Sequence, residues 1–414
     1  MSEPRRTILF LQGPISPFFK RVGERIASLA PGVRTLRVNL NFGDWLFWHG
    51  ADAINYRGSF KAWPDFIDAL ILREGVTDVV MLGEQRPYHK AAAAAARARG
   101  TRVIATDFGY LRPDWIAFEL DGLTGASRIP RAAAQVRAHA AGTRKPDLTP
   151  QFTDRFWPQA RMDMAYHLSA WLLWFLFPGY KTHQPDHPVL TYLGSGLRIL
   201  LQKRRARAAT RAIAAAEQSA GPVFIFPMQM EKDFSIRAYS PYRELRTPIC
   251  EVVMSFAAFA PEDATLIIKI HPGDPGLRPW RRIVASIASD ARVADRVKFI
   301  DGGDLGRLIR ASAGVVVINS TVGMLALEKG RPTLTLGQAV YNVDGMTASC
   351  TLDAFWQNPP TPDAALVGDF IKVITSTFML RGTFYCDPGM TAGANAAARR
   401  LIDKSVNQPL MAAE

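Results

Sequence analysis

The chain has 414 residues, of which 48% are hydrophobic and 21% are charged, a balance that is typical of a globular protein and argues against a largely disordered one. Fifty Lys and Arg residues against 37 Asp and Glu residues give a formal net charge of +13, which favours an anionic partner such as nucleic acid, an acidic membrane surface or a phosphorylated substrate. Because Cys250, Cys350 and Cys386 are far apart and form no CxxC pair, the sequence indicates neither a disulfide framework nor a metal site, and favours a reducing cytoplasm.

Short apolar strands alternate with helix-like segments in two parts of the chain. Strand patterns occur at 7–11, near Leu36, at 78–83 and 102–107, and again at 222–228, 265–272, 296–301, 313–321 and 331–337. Strands separated by helices in this way predict parallel sheets with crossover helices. The apolar run at the N-terminus is a poor signal peptide, because Gln12, Gly13 and Pro14 break it at once.

These patterns predict an α/β protein with two Rossmann-like domains that face a cleft and a helical insert between them. We expect a first domain at 1–134, a helical connecting segment at 135–217, a second domain at 218–361, and C-terminal helices at 362–414 that pack back on the first domain. Open sheets of this kind bind ligands at the carboxyl ends of their strands. Functional motifs are therefore expected directly after each strand.

An aromatic stretch, LSAWLLWFLFPGY, occupies 168–180 of the helical segment. It is far shorter than the ~20 apolar residues that a membrane-spanning helix needs. Two interpretations stay open: the stretch and the basic residues after it lie on an anionic membrane surface, or they form a buried helical hairpin. The side chains concerned are Trp171, Trp174, Phe175, Phe177, Lys181, Lys203, Arg204, Arg205 and Arg207.

His271 and Pro272 follow the strand pattern of 266–270. A histidine in this position can donate a ring N–H to a phosphate oxygen, and the proline restricts the backbone beside it. The alternative is a histidine that only caps a neighbouring carbonyl. Position alone does not decide between the two.

The sequence VVVINSTVGMLALEKG at 315–330 predicts a buried strand that leads into a helix at Asn319, Ser320 and Thr321. Hydroxyls, backbone N–H groups and the positive end of the helix dipole together favour an anion there, although helix capping alone also explains Ser and Thr. Glu328, two turns further along, could accept hydrogen bonds from ribose hydroxyls or could be an exposed helix-end glutamate. Because neither GxxxxGK[ST] nor a GxGxxG after the first strand is present, a sugar nucleotide is favoured over ATP or NAD.

The chain resembles the capsule polysaccharide biosynthesis and export proteins of the KpsS/LipB type. The resemblance covers most of the chain and is carried by LFLQGPISPFFKRVG (9–23), NFGDWLFW (41–48), YRG (56–58), LGEQRPYH (82–89), FGYLRPDWIAFELDGLTGASRIPR (108–131), FPMQMEKDFSI (226–236), KIHP (269–272) and LGQAVYNVDGMT (336–347). It implies a two-domain glycosyltransferase similar to retaining β-Kdo transferases, which uses CMP-Kdo without a further cofactor. The implied acceptor is a lysophosphatidylglycerol-type lipid at the cytoplasmic face of the inner membrane, with other capsule synthesis and export proteins as partners.

The resemblance also implies roles for residues of the second domain. The His271–Pro272 and Ser320–Thr321 pairs would hold the CMP phosphate, and Glu328 would hold the ribose. The other residues expected to bind the nucleotide sugar are Lys269, Asn319 and Gln229. Gln229 and Asp233 occupy the Q-x-x-x-D positions of the family. Asp233 could attack the anomeric carbon as the catalytic nucleophile, although a solvated charge is the alternative from sequence alone.

In the first domain the family commonly has two acids before Gly-Tyr-Leu-Arg-Pro, whereas this chain has Asp107 followed by Phe108. Asp107 is expected to act as the acid–base group, with Glu84 as a substitute if the missing second acid carries that role. Arg86, His89 and Arg112 are expected to bind the Kdo carboxylate or an acceptor phosphate, because guanidinium groups bind such anions in bidentate fashion. The two arginines could equally tie loops together.

Two rival hypotheses remain. The first is a non-catalytic capsule export or scaffold protein that keeps the fold, which should tolerate the change Asp233→Asn. The second is nucleic-acid binding, which the sequence does not support because its aromatic residues cluster in apolar runs instead of alternating with basic ones.

Overall fold

The computed structural model describes residues 6–143, 145–182 and 186–409. The strands are β1 (Thr7–Phe10), β2 (Arg34–Asn39), β3 (Ala53–Asn55), β4 (Val76–Leu82), β5 (Arg102–Phe108), β6 (Trp115–Leu120), β7 (Val223–Pro227), β8 (Thr265–Lys269), β9 (Val297–Ile300), β10 (Gly314–Val317), β11 (Thr333–Thr335) and β12 (Met379–Arg381).

The helices are α1 (Phe18–Leu29), α2 (Phe42–Phe47), α3 (Trp63–Arg73), α4 (Pro87–Ala98), α5 (Ala133–Ala140), α6 (Phe156–Leu172), α7 (Pro188–Leu200), α8 (Gln202–Glu217), α9 (Phe234–Tyr239), α10 (Arg246–Phe259), α11 (Trp280–Asp290), α12 (Leu305–Ala311), α13 (Thr321–Glu328), α14 (Leu352–Gln357), α15 (Ala364–Val373) and α16 (Gly389–Ile402). Short 3₁₀ helices occur at Phe60–Ala62, Thr124–Ala126 and Trp174–Leu176, and a π-helical turn at Ile374–Phe378.

The chain divides into two compact units. Unit 1 comprises Met1–Ile129, Gly142–His183 and Ile371–Glu414, and unit 2 comprises Pro130–Ala141 and Gln184–Phe370. Unit 1 contains a seven-stranded sheet in the order β12-β6-β5-β4-β1-β2-β3, and unit 2 a five-stranded sheet in the order β11-β10-β7-β8-β9. The predicted α/β class with two separate sheets is confirmed.

All four pairings in the sheet of unit 2 are parallel. In unit 1 the strands from β5 to β3 are parallel, while β6 is antiparallel to β5 and β12 is antiparallel to β6. Every residue of β1, β7 and β10 is buried, as expected for central strands that are covered on both faces. These strands are the apolar runs that the sequence predicts.

Three strands were not predicted from the sequence. β3 and β12 have only three residues each, which is too short for an alternating pattern to stand out. β6 follows β5 after a short loop and pairs with it antiparallel, so that it interrupts the strand–helix alternation on which the prediction rested. β12 belongs to a segment for which only helices were expected.

The predicted connecting segment, residues 135–217, is divided between the two units. Residues 142–183 lie in unit 1, whereas α5, α7 and α8 lie in unit 2. At the C-terminus, β12 completes the sheet of unit 1, and α16 shares a hydrophobic core with α1 through Ala397, Leu401, Phe18 and Val22. None of the helices in the described ranges is both long enough and apolar enough to cross a membrane.

Candidate functional site

The sheet of unit 2 has a switch point between β7 and β10. The chain adds β8 and β9 on one side of β7 and then returns to add β10 and β11 on the other side. The loops that follow β7 and β10 therefore leave in opposite directions and open a crevice at the carboxyl ends of these strands. A ligand of unit 2 is expected at this crevice.

Polar side chains from these two loops form one hydrogen-bond network. Gln229 donates from Nε2 to Oδ1 of Asn319 at 2.9 Å, and the backbone N–H of Asn319 donates back to Oε1 of Gln229 at 3.1 Å. Asn319 also donates from Nδ2 to the backbone carbonyl of Ser235 at 3.0 Å, and the Ser235 hydroxyl donates to Oδ1 of Asn319 at 3.2 Å. The structure thus brings Gln229 and Asn319 together at the switch point. Ser235 is a member that sequence analysis missed, although it lies within the quoted motif FPMQMEKDFSI.

Asp233 is the N-cap residue of α9 and is half-buried. Its Oδ1 accepts the backbone N–H of Ser235 at 2.9 Å, and its Oδ2 accepts Nε2–H of Gln229 at 3.2 Å. The two donors hold the carboxylate in one orientation beside the crevice. This geometry suits a positioned nucleophile. Asp233 also caps α9, a function that neither interpretation of this residue from the sequence included.

His271 begins the loop after β8, which pairs with β7. Its Nδ1 accepts the backbone N–H of Gly273 at 3.0 Å, so a neutral ring carries its proton on Nε2. His271 is half-buried and Pro272 is exposed. A Cβ atom on Gly273 would lie 3.5 Å from Sδ of Met230, which shows that the loops after β7 and β8 are in contact.

Lys269 is the last residue of β8 and is buried. Burial lowers the pKa of Lys269, while the nearby Asp301 carboxylate opposes this effect and Arg198 reinforces it. Because alternate residues of a strand share a face, Lys269 lies on the same side of β8 as Ile267. Ile267 packs in the core with Ile213 of α8. The charges of Asp301 and Arg198 act on the Lys269 ammonium group.

Asp301 is the centre of a charge cluster. Arg198 of α7 donates to Oδ1 of Asp301 at 2.5 Å, and Arg205 of α8 donates to Oδ2 at 2.9 Å. Arg198 also donates to the backbone carbonyl of Asp274, in the loop that begins at His271. Arg198 thereby fixes the loop that carries His271.

Ser320 is the N-cap residue of α13, and its hydroxyl accepts the backbone N–H of Val322 at 3.2 Å. Tyr341 donates its hydroxyl proton to the backbone carbonyl of Ser320 and is buried. Glu328 is the exposed last residue of α13. Seven residues are almost two helical turns, so Thr321 and Glu328 share a helix face about 10 Å apart along the axis.

In unit 1, Asp107 and Arg112 lie near the carboxyl end of β5 and both are exposed. The Asp107 carboxylate accepts the backbone N–H of Phe108 at 2.7 Å. The guanidinium of Arg112 lies over the Phe108 ring, 4.5 Å from its centroid, which is a cation–π distance. Phe108 packs in turn against Phe384, with ring centroids 5.3 Å apart. Phe108, which follows Asp107 directly, therefore supports Arg112.

Glu84 and His89 are buried and engaged with the backbone. Glu84 accepts the backbone N–H of Leu123 at 3.2 Å. The Nδ1 of His89 donates to the carbonyl of Gly83 at 2.7 Å and thereby fixes the first turn of α4 to the end of β4. Glu84 as a substitute acid–base group and His89 as an anion-binding group stay predictions.

Sequence analysis also missed a buried polar centre in unit 1. Tyr166 of α6 donates its hydroxyl to Oδ1 of Asp44 at 3.2 Å and accepts hydrogen bonds from Gln12 and Asn41 at 2.9 Å each. The Asp44 carboxylate also accepts from Arg37 at 3.1 Å. The QGPI and NFGDW motifs supply Gln12, Asn41 and Asp44, but the sequence gives no signal that Tyr166 is their partner.

Arg86, the N-cap residue of α4, acts electrostatically on this centre. Burial, followed by the Asp44 carboxylate, raises the pKa of Tyr166 well above its usual range, and Arg86 opposes this effect. Burial also raises the pKa of Tyr385, to which Asp107 contributes, and Arg86 again opposes the rise. Arg86 and Asp107 thus act on the same phenol of unit 1.

Three of the five aromatic side chains in the aromatic stretch at 168–180 are exposed. Trp171, Trp174 and Phe175 are 45%, 64% and 57% exposed, whereas Phe177 is buried. The interpretation as a buried helical hairpin is therefore wrong for Trp171, Trp174 and Phe175. The interpretation as an exposed aromatic anchor is wrong for Phe177. Within the described ranges, no three His, Cys, Asp or Glu side chains cluster in a way that could hold a metal ion.

Comparison with known sequences decides the family. The sequence model described as capsule polysaccharide biosynthesis protein matches residues 77–385. This chain belongs to the capsule polysaccharide biosynthesis protein family. The resemblance to the KpsS/LipB type that the sequence motifs indicate is confirmed.

Two relatives illustrate the range of the family. The capsule polysaccharide export protein KpsS of Escherichia coli is 29% identical over 388 residues, which cover 91% of this chain and 96% of that protein. The capsule polysaccharide modification protein LipB of Neisseria meningitidis is 29% identical over 395 residues, which cover 92% of both. Among solved structures, the β-Kdo 2,7 transferase of KpsC from Thermosulfurimonas dismutans is similar with a TM-score of 0.45 and 14% identity, covering 95% of this chain and 99% of that one.

Proposed function

We propose that this protein is a retaining glycosyltransferase that transfers β-Kdo from CMP-Kdo to a lysophosphatidylglycerol-type lipid, and so builds a linker in capsule polysaccharide biosynthesis. The observation that carries the proposal is the network of Gln229, Asp233, Ser235 and Asn319 at the switch point of unit 2. Parallel sheets bind ligands at this crevice, and membership of the capsule family supports a sugar donor.

Donor binding rests on three groups of unit 2. The N-terminus of α13, with Ser320 and Thr321, favours the CMP phosphate because free N–H groups and the helix dipole attract an anion. His271, with its proton on Nε2, would donate a hydrogen bond to a phosphate oxygen. Glu328, on the same face of α13 as Thr321, would accept hydrogen bonds from the ribose hydroxyls.

The proposed reaction has two displacements. The Asp233 carboxylate attacks the anomeric carbon of Kdo, the bond from that carbon to the CMP phosphate oxygen breaks, and CMP leaves with the electron pair. An acceptor hydroxyl then attacks the same carbon, loses its proton to a base and displaces Asp233, so that two inversions retain the configuration. We assign the base to Asp107, whose carboxylate is exposed in unit 1. The scheme needs no cofactor.

Activity can be tested with purified protein, CMP-Kdo and a fluorescent lysophosphatidylglycerol. We expect CMP release together with a lipid product heavier by one or more Kdo residues, and strong loss of both for His271→Ala. CMP release no greater than that of His271→Ala would contradict the enzyme and would favour the non-catalytic export or scaffold protein. Titration with CMP alone separates donor binding from transfer, because a scaffold that keeps the site would still bind the nucleotide.

A further inference from the structure

The consecutive helices α7 and α8 of unit 2 present one continuous outward face. Its first half consists of Leu190, Leu193, Leu197 and Leu200, which are 55%, 66%, 58% and 81% exposed. Steps of three and four residues place these leucines on the same side of a helix. After the turn at Leu201, α8 carries the exposed Arg204, Arg207 and Arg211, which are again three and four residues apart and form the second half of this face. We call these seven residues the leucine–arginine face.

The opposite side of the two helices is attached to unit 2. A Cβ atom on Gly194 would lie 2.5 Å from the carbonyl oxygen of Pro275, so α7 and the loop after β8 are in close contact. Arg198 and Arg205 bind Asp301 from this inner side, and Ile213 of α8 is buried in the core. The leucine–arginine face therefore points away from the body of unit 2 on a helix pair that is firmly held.

The composition of the helix pair favours one kind of binding partner for the leucine–arginine face. Apart from Glu217 at its end, the helix pair contains no Asp or Glu, while it carries Lys203 and five arginines in all. Exposed leucines favour an apolar surface, and unpaired positive charge along the same face favours phosphates. A second copy of the chain fits less well, because it would bring equally cationic helices together.

We propose that the leucine–arginine face docks on an anionic phospholipid bilayer. The leucines of α7 enter the interface between headgroups and acyl chains, and the arginines of α8 contact lipid phosphates. The helix pair lies along the surface and does not span it. This inference does not depend on the transfer reaction, and it assigns the membrane contact to residues other than the aromatic stretch of unit 1.

The test is co-sedimentation of the full chain with vesicles that contain no acceptor lipid. One vesicle type contains phosphatidylglycerol and phosphatidylethanolamine, and the other contains phosphatidylcholine alone. We compare Leu197→Gln/Leu200→Gln with Leu72→Gln, which changes an exposed leucine of α3. We also compare Arg204→Gln/Arg207→Gln with Arg246→Gln/Arg282→Gln, a pair of exposed arginines elsewhere in unit 2.

We expect tight binding to the anionic vesicles only, with each α7 or α8 double variant weaker by roughly 10- to 30-fold and both controls unchanged. Added salt should weaken the leucine variant and the unaltered chain alike, because both keep the arginines. Equal vesicle binding by all variants would overturn the proposal. So would a dimer in solution that Leu197→Gln/Leu200→Gln dissociates while vesicle binding stays unchanged. Circular dichroism melts verify that the exposed substitutions leave the fold intact.

Discussion

Each sheet has a switch point on either side of which the chain adds strands in opposite directions, but the polar residues at the two switch points have different partners. In unit 1 the switch point lies between β1 and β4, and Gln12 after β1 is bound by Tyr166 of the chain itself. In unit 2 it lies between β7 and β10, and Gln229 and Asn319 bind each other beside Asp233. The first crevice contains an internal phenol, whereas the second presents small polar groups. This contrast favours the crevice of unit 2 over that of unit 1 for the donor site that we propose.

The sharpest test of this contrast is Asp233→Asn. Asn is a good N-cap residue, so α9 should persist while the nucleophile is lost. We expect Kdo transfer to fall by roughly 10³-fold with little change in affinity for CMP. The measurement is product formation by mass spectrometry together with CMP titration calorimetry. The matched control is Asp304→Asn, the N-cap of α12 in the same unit, which should keep its activity. Full activity of Asp233→Asn would leave Asp233 only its capping role.

In unit 1, Asp107→Asn tests whether one acid suffices beside Phe108. Loss of a general base typically reduces the rate by roughly 10²–10⁴-fold, and we expect the lower end because Asp107 is exposed. The acidic limb of the pH profile of the transfer rate should become shallower at the same time, because only the Asp233 carboxylate then has to be ionised. Asp52→Asn, an exposed acid of the same unit, is the control. An unchanged pH profile would show that another group is the base.

The variant Tyr166→Phe tests whether the buried polar centre of unit 1 has a structural or a catalytic role. Without the hydroxyl, the buried amides of Gln12 and Asn41 lose an acceptor and Asp44 loses a donor. Buried polar groups left without partners cost about 1–3 kcal/mol, so the free energy of unfolding of unit 1, measured by urea titration, should fall by that amount. Transfer per folded molecule should stay within a few-fold of the unaltered chain. A large drop in activity at unchanged stability would mean that the centre of unit 1 takes part in the reaction.

The smallest expected effect is that of Phe108→Leu, which keeps an apolar residue but removes the ring beneath Arg112. A cation–π contact at an exposed site contributes about 0.5–1 kcal/mol, which corresponds to a two- to fivefold change in affinity. If Arg112 binds the acceptor, the KM for the lipid should rise by that factor at unchanged kcat. Phe108→Tyr should retain the ring contact and the original KM. A KM unaffected by Phe108→Leu would make the contact purely structural.

Sequence patterns were sufficient wherever a feature depended on a local stretch of chain. The apolar runs of β7, β8 and β10 are typical of strands covered on both faces, so these strands could be predicted from the sequence. The Ser-Thr pair after β10 is typical of a helix start, so the beginning of α13 could be predicted as well. The same motifs were enough to indicate the family. Glu84, His89 and Lys269 could not be judged in this way, because their burial depends on the helices packed against them.

By itself, the sequence determined the strands of the two sheets other than β3, β6 and β12, the polar residues after them and the capsule family, since each depends on neighbours within a few residues. Only the tertiary structure decided which polar residues meet. It joined Gln229 to Asn319 and Gln12 to Tyr166 across 90 and 154 residues of chain, and it turned the leucines of α7 outward. The reason is that sheet order and helix packing, not sequence distance, set which groups come within hydrogen-bond reach.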